Sequence, residues 1–209
     1  MHLVDGVVSN QVVAVATVAA GVAVAVGMRR VKPDDVPKIA LLSAAFFVAS
    51  LIRVPIGPGA AHLMLTGLLG MILGPMIFPA VLAGLLMQSL VFGFGGVSVL
   101  GLNLLNVALP GYLAYLIFSP FLKRSSETQA MIWGGVAGGL AVLGSALMVA
   151  AALALSGDGF WPAAQMIVVA HVPVALVEGL VVGVALSFLL KLKPALFMSQ
   201  TPLSKGSFS

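Results

Sequence analysis

Ala130–Leu155 reads AMIWGGVAGGLAVLGSALMVAAALAL, a run without a single charged residue. As a helix rising 1.5 Å per residue it measures about 39 Å, more than the roughly 30 Å hydrocarbon core of a bilayer. Apolar runs of about 18 residues or longer are read as membrane spans, because no soluble core helix needs to be apolar all round for that length. The rest of the chain agrees. Of 209 residues 61% are hydrophobic and 8% are charged, against about 25% charged in a soluble domain. This composition excludes a soluble monomer and leaves little chain for a soluble domain.

Working outward from that run, breaks at Gly, Pro and charge predict seven spans: Gln11–Met28, Lys38–Ile52, His62–Leu73, Met76–Phe92, Leu102–Leu122, Ala130–Leu155 and Pro162–Leu190. The third reaches only about 20 Å and is expected to be tilted or broken. The last is longer than a span needs, so it tilts, bends near Pro173 or protrudes. With seven spans, Arg29, Arg30, Lys32, Lys38, Lys123, Arg124, Lys191, Lys193 and Lys205 all fall on one side. The positive-inside rule makes that side cytoplasmic. The expected fold is therefore an all-α membrane protein with seven transmembrane helices, the amino terminus outside and the carboxyl terminus in the cytoplasm. Residues 1–197 form a single transmembrane domain and residues 198–209 a polar, mobile tail. Only Arg53 among the basic residues lies outside, beside the connection Arg53–Ala61. MHLVDG at the start has no basic residue ahead of an apolar core, so it is expected to be retained rather than cleaved as a signal peptide. The pairs Gly134/Gly138 and Gly135/Gly139 suit close helix packing in lipid.

The absence of cysteine removes disulfides, thiolate metal sites and cysteine nucleophiles. The net charge of +4 is spread over short clusters between apolar stretches, which speaks for topology and against a nucleic-acid partner. Ionisable residues inside a bilayer are functional candidates by default. Here they are His2, Asp5, Arg53, His62, Asp158, His171 and Glu178, with Gln88, Asn103 and Asn106 as uncharged companions.

His2 follows Met1 directly, and a bulky second residue disfavours removal of the initiator. The Met1 amine, the amide nitrogen of His2 and His2 Nδ1 can then close two fused chelate rings around one ion. A fourth nitrogen would complete a planar N4 set, the geometry of Ni(II) or Cu(II) rather than Zn(II). His62, on the same side, is the natural fourth ligand. The plainer readings are an exposed terminal residue for His2 and an interfacial, backbone-bonded imidazole for His62. His171 and Glu178 share a helix face about 10 Å apart, suited to holding a binding loop by hydrogen bonds, to proton guidance or to interhelical bonding. Arg53 is either a headgroup anchor or a partner for Asp5 or Glu178. Gln88, Asn103 and Asn106 suit interhelical hydrogen bonds. The GFGG string lacks the strand, lysine and spacing of a phosphate loop, and a Ser145–His171 dyad lacks an oxyanion loop.

Four stretches together, MHLVDG at the terminus, VPIGPGAAHLMLTGLLGMILGP, QSLVFGFGGVSVLGLNLLNVALPG and AHVPVALVEG, resemble the substrate-binding membrane subunit of nickel/cobalt energy-coupling-factor transporters, the CbiM/NikM family. The resemblance runs from Met1 to about Leu192. It implies seven helices with the terminus tucked into an outward-facing pocket. It places the metal ligands on Met1, His2 and His62, with Asp5, Arg53, Gln88, Asn103, Asn106, His171 and Glu178 in supporting positions. The loop GPGAAHLMLTG is closer to the nickel branch than to the cobalt branch. The transported ligand is then Ni(II) or Co(II), with no catalytic cofactor, and the affinity should fall in acid as the nitrogen ligands protonate.

The chain has no Walker motif, so it is not expected to be an enzyme. The resemblance implies cytoplasmic ATPase subunits, a coupling transmembrane subunit and a small accessory membrane subunit as partners. It also implies the inner membrane of a bacterium or archaeon. The competing readings are a stand-alone permease or channel along His171, Glu178 and Asn106, a serine protease, and a vitamin-binding subunit of the same transporter class.

Overall fold

A computed structural model describes residues 3–56, 59–122 and 125–193 of the chain. Seven α-helices account for most of it: α1 Asn10–Met28, α2 Val36–Ala49, α3 Thr66–Leu73, α4 Ile77–Phe92, α5 Leu100–Leu122, α6 Glu127–Ala154 and α7 Trp161–Leu192. Each coincides with an apolar run, and the ends fall where local chemistry stops or starts a helix. Ser126 opens α6 with a reciprocal cap: its hydroxyl accepts from the Gln129 amide, and the Gln129 side chain accepts from the Ser126 amide. Pro162 lies in the first turn of α7, where its missing N–H costs nothing. Gly93 closes α4 in the left-handed conformation, the usual glycine stop.

Two expectations need correction. Arg53–Ala61 is not a plain loop. Arg53–Ile56 (β1) pairs antiparallel with Gly59–His62 (β2), in the register Arg53 opposite His62 and Ile56 opposite Gly59. The fold is thus helical with one small hairpin. The third helix, expected from His62, starts at Thr66 instead. His62 is held in strand pairing, and Leu65 stands at φ 52°, a left-handed conformation no helix can pass through. The remaining α3 spans about 12 Å, and all eight of its residues are buried.

Helix directions follow from contacts. Ser43 of α2 donates to the carbonyl of Ala80, Phe46 lies against Gly84, and Gln88 bonds Ser50, so α2 and α4 run parallel. The chain returns between them through the hairpin and α3 and turns back at Gly74–Met76, where Gly74 takes φ 55°. Ser9 donates to Ser156, joining the start of α1 to the end of α6, and Glu127 pairs with Lys191, joining the start of α6 to the end of α7. One pole of the bundle therefore gathers the start of α1, the end of α2, the end of α4 and the start of α5.

Backbones approach where glycines permit. Both predicted glycine pairs of α6 are used. A Cβ on Gly135 would lie 3.3 Å from the carbonyl of Gly179, and one on Gly138 would lie 2.8 Å from Val182 of α7. On its other side Gly138 meets Gly67 of α3. This is small-residue packing, the contact available to helices that gain nothing from leaving lipid for one another. The outer surface carries large apolar side chains such as Val15, Leu41, Leu90, Val169 and Leu176, while Gln88, Asn103, Asn106 and Glu178 are buried. Among the described residues, five helical stretches are long and apolar enough to cross a membrane, with Thr66–Phe92 counted as one.

Gly70 of α3 lies against the carbonyl of Gly111 in α5, with no room for a Cβ, whereas Gly21 of α1 faces open space. Gly70→Ala should destabilise the bundle by about 1–3 kcal/mol, the usual range for overpacking. Gly21→Ala should stay within about 0.5 kcal/mol. Thermal melts in detergent, followed by tryptophan fluorescence, check both.

Candidate metal centre

Met1 and His2 lie outside the described residues, as does the side chain of Arg53. The structure shows how the segments around them are held. Leu3 is buried, and Asn103 on the first turns of α5 grips its main chain at two points. The Asn103 Oδ1 accepts from the Leu3 amide at 2.9 Å, and the Asn103 Nδ2 donates to the Leu3 carbonyl at 2.9 Å. The side chain thus imitates a neighbouring β-strand. Each such bond contributes roughly 0.5–1.5 kcal/mol net, and a buried amide left without one costs about 1–3 kcal/mol. Two residues on, Asp5 accepts from the Ser98 hydroxyl, and its carboxylate fills the space that a side chain at Gly96 would need. The glycine-rich stretch is therefore a seat for the amino-terminal segment and not a phosphate loop. Ser98 was missed because a lone serine in a loop carries no periodic signal.

His62, at the end of β2, is 5% exposed. Its Nδ1–H donates to the Leu63 carbonyl at 3.2 Å. An imidazole that donates through Nδ1 carries its lone pair on Nε2, and a backbone carbonyl on the opposite nitrogen is the usual support of a metal-binding histidine. Beyond it, Glu178 reaches from the middle of α7 to the start of α3. Its Oε2 accepts from the Met64 amide at 2.9 Å. A helix start has unpaired N–H groups and a partial positive charge. Here an acid from another helix supplies the cap that no local residue provides. The recipient is a main-chain group of Met64, which is why no sequence pattern marked it.

The remaining candidates separate. Gln88 donates to Ser50 at 2.9 Å and so ties α4 to α2. His171 is nearly buried, with Nδ1 donating to the Ile167 carbonyl of its own helix at 2.7 Å. Ser145 likewise donates to Ala141 one turn back, so its hydroxyl proton is engaged within its own helix. Asn106 is 1% exposed and neither side-chain polar atom has a hydrogen-bond partner. Its carbonyl also loses its helical donor, because Pro110 stands four residues on. Thr66 Oγ1, Gln88 Oε1 and Glu178 Oε1 are buried without partners too. Among the described residues no three His, Asp or Glu side chains cluster as a metal cage.

The model of the family described as the cobalt uptake substrate-specific transmembrane region matches residues 2–196. The chain is 34% identical to a putative metal transport protein of Haemophilus influenzae, over 93% of this chain and 95% of that one. It is 36% identical to the fused nickel transport protein NikMN of Rhodobacter capsulatus, over 53% of this chain and 34% of that longer one. Its fold matches the crystal structure of a transition metal transporter with a TM-score of 0.73 and 26% identity, covering 96% of this chain and 98% of that one.

Asn103→Ala removes both bonds to Leu3 while leaving the helix contacts of α5 in place. Amide exchange over residues 3–8 should then rise at least about ten-fold, as one bond's worth of roughly 1.4 kcal/mol implies, with little change in melting temperature. Hydrogen exchange read by mass spectrometry on the amino-terminal peptide checks it. Unchanged protection would show that the Leu3 clamp does not hold the segment.

Proposed function

The chain belongs to the family of cobalt-uptake substrate-specific transmembrane regions, and on that premise we propose that it is the metal-capturing subunit of an ATP-driven energy-coupling-factor importer for Ni(II) or Co(II), with nickel preferred. The ion is its cargo. The Met1 amine, the amide nitrogen and Nδ1 of His2, and Nε2 of His62 form a planar N4 set. The observation that carries this reading is the grip of Asn103 on Leu3. A terminal chelate binds tightly only if the segment bearing it is ordered beforehand, since ordering cost is subtracted from affinity. A buried two-point clamp next to His2 is that preorganisation. The tautomer of His62 supports the same reading.

Asp5, Gln88, Asn103 and Glu178 support the site by holding the terminal segment, the end of α4 and the turn after His62. Asn106 and His171 complete the polar lining, and Arg53 lies on the strand opposite His62. The planar geometry favours Ni(II), and one relative is named as a nickel transport protein.

In this reading the chain crosses the membrane seven times, α3 being a half-span completed by the hairpin. The amino terminus is outside and the carboxyl terminus in the cytoplasm. The alternating helix directions support that count, and the basic residues support the orientation. Residues 1–197 form the metal-binding domain, and the tail 198–209 lies outside the described residues. Two cytoplasmic ATPases, a coupling membrane subunit and a small accessory subunit supply energy and coupling, in the inner membrane of a bacterium or archaeon. The fused architecture of the Rhodobacter capsulatus relative supports the existence of such a neighbour. Release of the ion requires the terminal segment and the hairpin to separate.

The test is Ni(II) and Co(II) binding by calorimetry with metal analysis, on protein with its native terminus and on protein extended by one residue before Met1. The extension should abolish tight binding with no change in melting temperature, because it converts the amine to an amide. Equal binding by both forms would sink the terminal chelate.

A further inference from the structure

The Leu63–Met64 peptide unit is held from both edges. On one edge the Met64 N–H donates to Glu178 Oε2 at 2.9 Å, and on the other the Leu63 carbonyl accepts from His62 Nδ1–H at 3.2 Å. These two groups belong to one planar trans peptide. Turning the plane to lose one bond turns it out of the other. From this we infer that Glu178 is the positioning residue of the metal site: through the Leu63–Met64 peptide it orients the His62 imidazole and raises the basicity of its Nε2.

Glu178 is 0% exposed, in the interior of a membrane helix, where an acid is costly to keep. A carboxylate accepting from a peptide N–H polarises that peptide and makes its carbonyl a stronger acceptor. A stronger acceptor on Nδ1–H gives the imidazole a more electron-rich Nε2. Metal-binding histidines commonly get this from a carboxylate bonded directly to the ring. Here the carboxylate acts across one peptide group.

Leu65 fits this account. Its left-handed backbone, φ 52°, is an uncommon state for a branched residue and persists only where its surroundings impose it. Met64 is 1% exposed and Thr66 fully buried, and the Met64 amide donates to Glu178. The carboxylate thus pins Met64, the residue just before this left-handed turn.

The inference rests on His62 being a ligand, and the experiment separates the two claims. Full-length protein with its native terminus is titrated with Ni(II) alone, following affinity and the ligand-field absorption band, for wild type, His62→Ala, Glu178→Ala, Glu178→Gln and the His62→Ala/Glu178→Ala double variant. Glu178→Ala should weaken binding about 10- to 100-fold, the usual effect of losing an outer-shell partner, and should shift the band towards that of His62→Ala. Glu178→Gln keeps one acceptor and the shape but not the charge, so it should lie between wild type and Glu178→Ala with an unchanged melting temperature. In the His62→Ala background, Glu178→Ala should add no further loss, the mark of two residues acting through one link.

If Glu178→Ala fails to fold, the Glu178→Gln band and affinity decide alone. Wild-type binding by Glu178→Gln and Glu178→Ala, or strictly additive losses, would overturn the positioning role while leaving His62 a ligand. An unshifted band in His62→Ala would remove the ligand itself, and the relay with it.

Discussion

A lipid-embedded chain must satisfy its own backbone, because no water is at hand to pair a free N–H or carbonyl. Helices do this internally, so the parts of this protein that are not helical are the ones that need an explanation. Three of them lie against the candidate site: residues 3–9, the paired strands Arg53–Ile56 and Gly59–His62, and the turn Leu63–Leu65. The hairpin pairs with itself. The other two are satisfied by single buried side chains, Asn103 for Leu3 and Glu178 for Met64. Irregular backbone at such depth is tolerated where it is buried in protein, as Leu3 and Met64 are.

Those two side chains depend in turn on close helix packing. Asn103 stands at the start of α5, and two residues earlier Gly101 lets that helix meet α1 at Thr17. Glu178 stands next to Gly179, which admits the backbone of α6 at Gly135. Without those glycines the helices would stand further apart, and an amide and a carboxylate of fixed length would not reach their partners. The small residues and the polar residues are one device. The first brings backbone within reach, and the second ties it.

The unpartnered atoms of Asn106, Thr66, Gln88 and Glu178 contrast with this economy. Fully paired polar groups make a rigid core, and unpaired ones in a low-dielectric interior are costly. They lie on four different helices: Thr66 at the start of α3, Gln88 near the end of α4, Asn106 in the second turn of α5 and Glu178 in α7.

Membership of a membrane helix bundle was legible from Ala130–Leu155 alone, because length and apolarity are one-dimensional properties. So were the ends of α4 and α7, where Gly93 and Pro162 act on their immediate neighbours, whereas α6 starts at Glu127 behind the Ser126 cap, three residues before the expected Ala130. The polar residues worth attention were legible too, since an ionisable or amide side chain in an apolar run stands out whatever it touches. What His62 belongs to was not: its neighbours read as a helix, and strand pairing with Arg53 together with the left-handed Leu65 made it the end of a hairpin. Nor could the sequence show the partners of Asn103 and Glu178, which are main-chain groups 100 and 114 positions away. Every residue carries the same main chain, so a bond to it leaves no mark in the sequence. Composition and periodicity therefore determined that this chain lives in lipid and which side chains are out of place there, while only the tertiary packing of α3, α5 and α7 decided what those side chains hold.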